Sequence, residues 1–158
     1  MDHQVAPPAG GWTLYAERWY LLFAFSLTTF SQCLFWITFS PVADETSQWL
    51  STSKYNVDLL LNWGPIIFIP VTPLSIWLAE RPGGLRLCVR AAAWMTASCV
   101  LLRCVVCLWP AMFLAPQGGS FDAGLALLHL AQIINAAVGP LVMNTPTQLS
   151  QTWFGEVS

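Results

Sequence analysis

The chain has 158 residues, of which 56% are hydrophobic and only 9% are charged. Soluble domains carry about 25% charged residues, because their surfaces must be solvated. A chain this poor in charge cannot solvate the surface of a soluble domain, so the composition indicates a membrane protein surrounded by a lipid bilayer. The sequence contains no basic run, and we therefore expect no nucleic-acid partner.

Four stretches are long and apolar enough to cross a bilayer as helices, which takes roughly 20 residues each. They are the segments at about 19–42, 57–79, 85–109 and 121–147. The first stretch is too long for the apolar core of a signal peptide and is followed by no small-residue cleavage site, so we interpret it as a span. The chain then divides into a tail, a transmembrane region and a short end, at 1–18, 19–154 and 155–158.

The distribution of basic residues predicts the orientation of the spans. One arginine precedes the first span and three flank the link between the second and third spans: Arg18, Arg81, Arg86 and Arg90. The other two links contain Lys54 as their only basic residue. Because arginine and lysine accumulate on the cytoplasmic side, we expect both termini and the second link to be cytoplasmic.

Polar residues inside the first and fourth spans are the main functional signal. Gln32 and Trp36 lie one turn apart in the first span. A row on one face of the fourth span is formed by His129, Gln132, Asn135 and Gly139. Such groups usually face a bundle interior or a wet cavity. They either bond neighbouring helices or contact a ligand, and His129 is either a proton relay or a structural hydrogen-bond partner.

Other polar and reactive residues in the spans suggest less. Arg103 lies near the outer end of the third span, where we expect its side chain to extend to the membrane interface. Prolines in the second and fourth spans are typical of transporters, although packing kinks contain them too. Cys104 and Cys107 form a lone pair without further ligands, so we expect no metal site. The sequence has no catalytic motif, so we expect neither an enzyme nor a cofactor.

Several short motifs resemble a known family of carriers. The segment "WLAERPGGLR" is similar to the turn between helices two and three of major facilitator carriers, although Glu80 replaces the usual aspartate. More specific are "ERWYLLFAFSL", "NWGPIIFIP", "LLRC" and "GPLVMNTPTQLSQTWF". Together these motifs resemble solute carrier family 49 along about residues 15–155. The resemblance implies gating contacts for the turn residues Glu80, Arg81 and Arg86.

The resemblance implies an all-α membrane protein that comprises the first four transmembrane helices of a twelve-helix major facilitator fold. Residues 155–158 would begin the remainder, and the missing C-terminal helices would be partners within the same chain. Helices one and four would line a central cavity. The implied function is secondary active transport of a small organic solute, either of vitamin B6 (pyridoxine) type with proton coupling or choline-like. The alternative is a non-transporting four-span structural protein.

The resemblance also implies roles for individual residues. Trp36 corresponds to a tryptophan that contacts the quaternary ammonium in choline-carrying relatives. Those relatives have a glutamine on helix four where this chain has Gly139, which leaves room for a ring. Gln132 and Asn135, with Gln32 on helix one, would then hydrogen-bond the solute. For a multi-pass membrane protein of this family we expect the lysosomal membrane, with the plasma membrane as the alternative.

Overall fold

The computed structural model describes residues 16–109 and 123–153. This part of the chain forms six helices, which are α1 (Glu17–Ile37), α2 (Ala43–Trp49), α3 (Lys54–Ala79), α4 (Gly84–Leu108), α5 (Ala123–Met143) and α6 (Pro146–Trp153). Four of them, α1, α3, α4 and α5, are long and apolar enough to cross a membrane. The predicted all-helical membrane fold with four spans is thereby confirmed for the described residues.

The first predicted span is shorter in the structure than in the sequence analysis. We expected it to continue to residue 42, but α1 ends at Ile37 and the short α2 follows. The helical partner of the Ile37 carbonyl would be the nitrogen of Pro41, which carries no hydrogen. The backbone N–H of Ser40 donates to that carbonyl instead, at 3.1 Å, and the helix ends there.

The fourth predicted span ends for the same reason. α5 stops at Met143 rather than at 147, and the first residue of α6 is Pro146, a position that proline favours. Pro146 leaves the carbonyl of Val142 without its helical donor. The hydroxyl of Thr145 donates to this oxygen at 3.3 Å and shares the same hydrogen with the Leu141 carbonyl at 3.1 Å. Pro146 and the Thr145 hydroxyl therefore together explain where α5 ends.

Helix α5 is the centre of the bundle. It packs along both α3 and α4 and also contacts α1. Small residues on α5 are buried in these contacts, among them Gly124, Ala131, Ala136 and Gly139. Small side chains allow neighbouring backbones to approach closely, which is how helices associate in a membrane. The polar face of α5 therefore packs closely against the neighbouring helices.

Candidate functional site

The C-terminal end of α1 organises the polar residues of the bundle. An α-helix leaves its last four carbonyl oxygens without a helical donor. In α1 these are the carbonyls of residues 34–37. The first of them, Leu34, accepts a hydrogen bond from the Thr38 hydroxyl at 2.8 Å. The last, Ile37, accepts from Ser40, as described above.

The two carbonyls between them accept hydrogen bonds from other helices. Arg103 of α4 donates from Nη2 to the Phe35 carbonyl at 2.9 Å. Gln132 of α5 donates from Nε2 to the Trp36 carbonyl at 3.3 Å. The same Nη2 of Arg103 also donates to Oε1 of Gln132. All four terminal carbonyls of α1 are thus paired, and three helices meet at this point.

A further bond continues this contact one turn earlier on α1. Nδ2 of Asn135 donates to the Gln32 carbonyl at 3.2 Å. Gln32, Gln132 and Asn135 are 3%, 1% and 0% exposed, so they lie inside the bundle. The predicted polar faces of the first and fourth spans therefore do meet, and two of their amides bond the backbone of α1.

The expectation that Arg103 extends to the membrane interface is wrong. Its side chain is 8% exposed and points into the bundle. Its guanidinium carbon lies 5.2 Å from the ring centre of Phe35 and 5.1 Å from that of Phe39. The negative end of the α1 dipole and these aromatic faces both attract a cation, which explains the inward direction.

Trp36 lies against a three-residue motif of α3, Trp63-Gly64-Pro65. A Cβ atom at Gly64 would lie 2.8 Å from Cζ2 of the Trp36 ring, so only glycine leaves space for the indole. Pro65 has no N–H to offer the carbonyl of Leu61, four residues earlier. Nε1 of Trp36 donates to that carbonyl at 3.2 Å. The motif therefore provides both the space and the acceptor for Trp36.

The first residue of this motif, Trp63, contacts the predicted proton relay. Nε1 of Trp63 donates to Nδ1 of His129 at 3.0 Å, and the two rings meet edge-on at 79°. A histidine that accepts at Nδ1 in its neutral form carries its proton on Nε2. For Nδ1 to take up a proton, the bond to Trp63 must break. In this state His129 fills a structural role.

Gly139 faces the first span across from Gln32. A Cβ atom there would lie 3.6 Å from Nε2 of Gln32 and 3.7 Å from Cδ2 of Phe68, which are ordinary contact distances. Gly139 therefore leaves room for a Cβ atom beside these two side chains. The structure thus brings Gln32, Gln132, Asn135 and Gly139 to the contact between α1 and α5, whereas Trp36 joins it only through its backbone carbonyl and packs its indole against α3.

The predicted gating residues lie elsewhere, at the link between α3 and α4. Glu80 and Arg86 are exposed and make no ion pair with any residue in 16–109 or 123–153. The guanidinium of Arg81 lies 3.5 Å from the ring centre of Trp77. Gly83 has a left-handed backbone, with φ at 76°, which the tight link requires. Gating contacts of this turn stay a prediction.

Two contributors to the site were missed from the sequence. Arg103 was assigned to the membrane surface, although a charged residue inside a span is itself a signal of an internal role. Trp63 was not singled out, because an aromatic residue in an apolar span looks like any other packing residue. No group of three potential metal ligands is found among the described residues.

Four apolar helices joined by buried polar contacts define a multi-pass helical membrane protein. No family model and no solved structure matches the chain. The chain is 35% identical over 141 residues to the solute carrier family 49 member 4 homolog of Xenopus tropicalis, covering 89% of this chain and 28% of the relative. It is 31% identical over 154 residues to solute carrier family 49 member A3 of Danio rerio, covering 94% and 30%.

A third relative is the choline/ethanolamine transporter flvcr2a of Danio rerio, which is 27% identical over 147 residues, covering 90% of this chain and 27% of the relative. The chain belongs to solute carrier family 49 of the major facilitator superfamily. The family resemblance predicted from the motifs is therefore confirmed. The chain spans less than a third of the length of these relatives.

Proposed function

We propose that the chain forms part of a secondary active transporter for a small organic solute. The observation that carries this proposal is the similarity to solute carriers along 89% and 94% of the chain. In this proposal α1, α3, α4 and α5 are the first four helices of a twelve-helix carrier, and the remaining helices complete its central cavity. Transport then proceeds by alternate exposure of that cavity to the two sides.

For the substrate we propose a small ring of vitamin B6 (pyridoxine) type, with a choline-like cation as the alternative. The half-buried Trp36 offers an aromatic face, which suits a cation or a second ring. Gly139 leaves space beside Phe68. Nε2 of Gln32 is directed to that space and donates no hydrogen bond within the described part of the chain. Oδ1 of Asn135 is buried without a donor there.

These two groups are the ones that would fix the orientation of a solute. Gln32 offers a donor and Asn135 an acceptor, and a few such groups in an apolar pocket usually provide specificity. The nitrogens of Gln132 and Asn135 already bond α1 carbonyls. We therefore assign Gln132 to the support of α1 and the other four predicted residues to the solute.

For coupling to protons we infer a role for His129. It is the one histidine among the described residues, and imidazole is the side chain that changes charge near neutral pH. Uptake of a proton at Nδ1 would release Trp63 and loosen the contact between α3 and α5. His129→Gln should then retain substrate binding but abolish the dependence of transport on a proton gradient.

The test is uptake by the full-length protein that contains this chain. The full-length protein should be expressed in cells that lack endogenous pyridoxine and choline uptake, and its abundance at the cell surface should be measured in parallel. We expect saturable uptake of labelled pyridoxine that unlabelled pyridoxine inhibits and that an inward proton gradient increases. Saturable uptake of choline alone would shift the substrate to the alternative class.

A non-transporting four-span membrane protein is the second candidate function. The observation that favours it is that the nitrogens of Gln132 and Asn135 bond α1 carbonyls, as structural amides do. Purified full-length protein reconstituted in liposomes distinguishes the two. The second candidate is favoured if folded protein at normal abundance takes up neither solute.

The compartment is also a proposal: on the resemblance to solute carrier family 49 alone, we propose the lysosomal membrane, with the plasma membrane as the alternative. Glu17 with Leu21 and Leu22 fits the spacing of an acidic dileucine sorting signal. All three residues lie within α1, so they are not part of an exposed tail. Sorting must then depend on residues other than these. Localisation of the tagged full-length protein against lysosomal and surface markers tests the proposal.

A further inference from the structure

Within residues 16–109 and 123–153, Arg103 is a buried cation without a carboxylate partner. In these two ranges the one ion pair joins Lys54 to Asp44, far along the chain from Arg103. A charged residue inside a span is costly and is normally kept for a specific interaction. The groups that Arg103 contacts are a carbonyl oxygen, an amide oxygen and two aromatic rings. Within the described part of the chain, these are the groups that can compensate its charge.

The C-terminal end of α1 provides the missing negative charge. Aligned peptide dipoles place about half an elementary negative charge at the end of a helix. That partial charge resides on the terminal carbonyls, and Arg103 bonds the one of Phe35 directly. A cation at this position is therefore favourable, although no carboxylate among the described residues pairs with it.

Arg103 also determines which way the Gln132 amide faces. An amide has one accepting and one donating end, and either could face α1. Because Nη2 of Arg103 donates to Oε1, the oxygen of Gln132 must face α4. Nε2 is then left to face the Trp36 carbonyl, to which it donates. Arg103 thus determines the hydrogen bond to the Trp36 carbonyl through the side chain of Gln132.

We propose that Arg103 is a positioning residue for Trp36, acting through the terminal carbonyls of α1 and the orientation of Gln132. Arg103 bonds the Phe35 carbonyl directly, on one side of the Trp36 side chain. On the other side, it acts on the Trp36 carbonyl through the side-chain amide of Gln132. The indole is held at its other end by Leu61. A small displacement of the last turn of α1 would therefore move the aromatic face relative to Gln32 and Gly139. The relevance of this to transport rests on the proposed function.

The test uses the full-length protein with three changes. Arg103→Lys keeps the charge, Arg103→Gln removes it but keeps hydrogen-bond donors, and the double variant Arg103→Met/Gln132→Met replaces both polar partners by apolar side chains. The double variant is expected to fold, because apolar replacements of a buried polar pair are often tolerated. The control is Arg90→Gln, at an exposed arginine on the same helix.

The first measurement is hydrogen–deuterium exchange of peptides that cover the last turn of α1. We expect exchange of the amide hydrogens there to be roughly tenfold faster in Arg103→Gln and in the double variant. The reason is that the last turn of α1 opens more often once its terminal carbonyls lose a charged donor. Exchange in α3 should change little. Arg103→Lys should lie near the wild type, and Arg90→Gln should match it. This measurement needs no substrate and tests the proposal even if the full-length protein proves not to transport.

The second measurement separates positioning from mere stability. If the protein transports, the double variant should show normal surface abundance with a KM raised roughly tenfold and a much smaller change in maximal rate. Arg103→Lys should restore most of the KM. Unchanged exchange in the last turn of α1 in Arg103→Gln would overturn the proposal. So would a double variant with normal abundance and unaltered KM.

Discussion

The indole nitrogen of Trp36 lies 3.2 Å from the carbonyl oxygen of Leu61, which is the oxygen that Pro65 leaves without a helical donor. A proline inside a span removes one hydrogen bond, and the freed oxygen cannot turn to water in hydrocarbon. Trp36 compensates the loss from a different helix. The bond makes the aromatic residue of α1 and the proline of α3 depend on each other, although they lie on different helices.

This dependence predicts different effects for two substitutions of Trp36. Trp36→Phe keeps an aromatic ring but removes the N–H, and a lost hydrogen bond inside a membrane costs about 1 kcal/mol. Trp36→Ala also removes the ring. We expect Trp36→Phe to lower thermal stability slightly and retain part of the transport, whereas Trp36→Ala should reduce transport strongly at normal surface abundance. Near-normal transport in Trp36→Ala would restrict the residue to packing.

A methyl group at Gly64 should destabilise the protein, because it would overlap the Trp36 ring. Forcing an extra carbon into a packed contact typically costs about 1–3 kcal/mol. Gly139→Ala is the matched control for stability, since its new atom meets its neighbours at 3.6 Å or more. The melting temperature of the purified full-length protein should fall for Gly64→Ala and stay close to the wild type for Gly139→Ala. Equal melting temperatures would show that the indole can move at no cost.

A long polar side chain at Gly139 should fill the proposed solute site. Gly139→Gln would extend the side chain into the region between Gln32 and Phe68. We expect uptake of pyridoxine to fall by at least about tenfold, the change that 1.4 kcal/mol of lost binding would produce. The choline dissociation constant should be measured beside it. Normal pyridoxine uptake would place the site elsewhere.

The orientation of the spans is open to a direct test. N-glycosylation acceptors introduced in the link near residue 52 and near residue 115 should be modified, and one near residue 83 should not. The reason is the excess of arginine around the link between α3 and α4. A mobility shift that is reversed by a glycosidase gives the result. Modification at residue 83 alone would mean that the orientation is reversed.

Residues 1–158 by themselves should not transport. Under the proposed function their helices form part of one half of a carrier, and no cavity can then alternate between the two sides. Exposed apolar residues on α1, such as Phe23 and Phe30, would meet lipid instead of other helices. Liposomes that contain this segment alone should show no saturable pyridoxine uptake. Uptake comparable to that of the full-length protein would refute the twelve-helix proposal.

Hydropathy predicted the fold because each span carries its own signal. A run of about 20 apolar residues identifies a membrane helix without knowledge of its neighbours. The shared face of Gln132 and Asn135 followed from helical spacing in the same way. The early ends of α1 and α5 were missed, although both depend on the position of a single proline, Pro41 and Pro146. In each case a nearby donor replaces the missing N–H. Which donor does so depends on the local backbone geometry, which a hydropathy profile does not contain.

The partners of the polar residues could not be predicted in the same way. Hydrogen bonds such as Arg103 to Phe35 and Trp63 to His129 join residues 68 and 66 positions apart. No periodicity within one helix indicates which neighbour a side chain meets. The "NWGPI" motif marked a special site, but its meaning became apparent only with the Trp36 indole beside Gly64. The features that could not be predicted from the sequence are therefore mainly contacts between different helices.

The cap that Arg103 places on α1 has a consequence for the synthesis of the protein. Ribosomes make α1 first, so the Phe35 carbonyl is already in the membrane when Arg103 emerges, whereas Gln132 does not yet exist. An arginine within a span opposes insertion, by about 2.5–3.5 kcal/mol at the centre of a helix and by less towards its end, where Arg103 lies. α4 therefore enters the bilayer most easily while α1 remains beside the translocon. Because α1 precedes α4 in the chain, the Phe35 carbonyl is made before Arg103, the charged residue that bonds it.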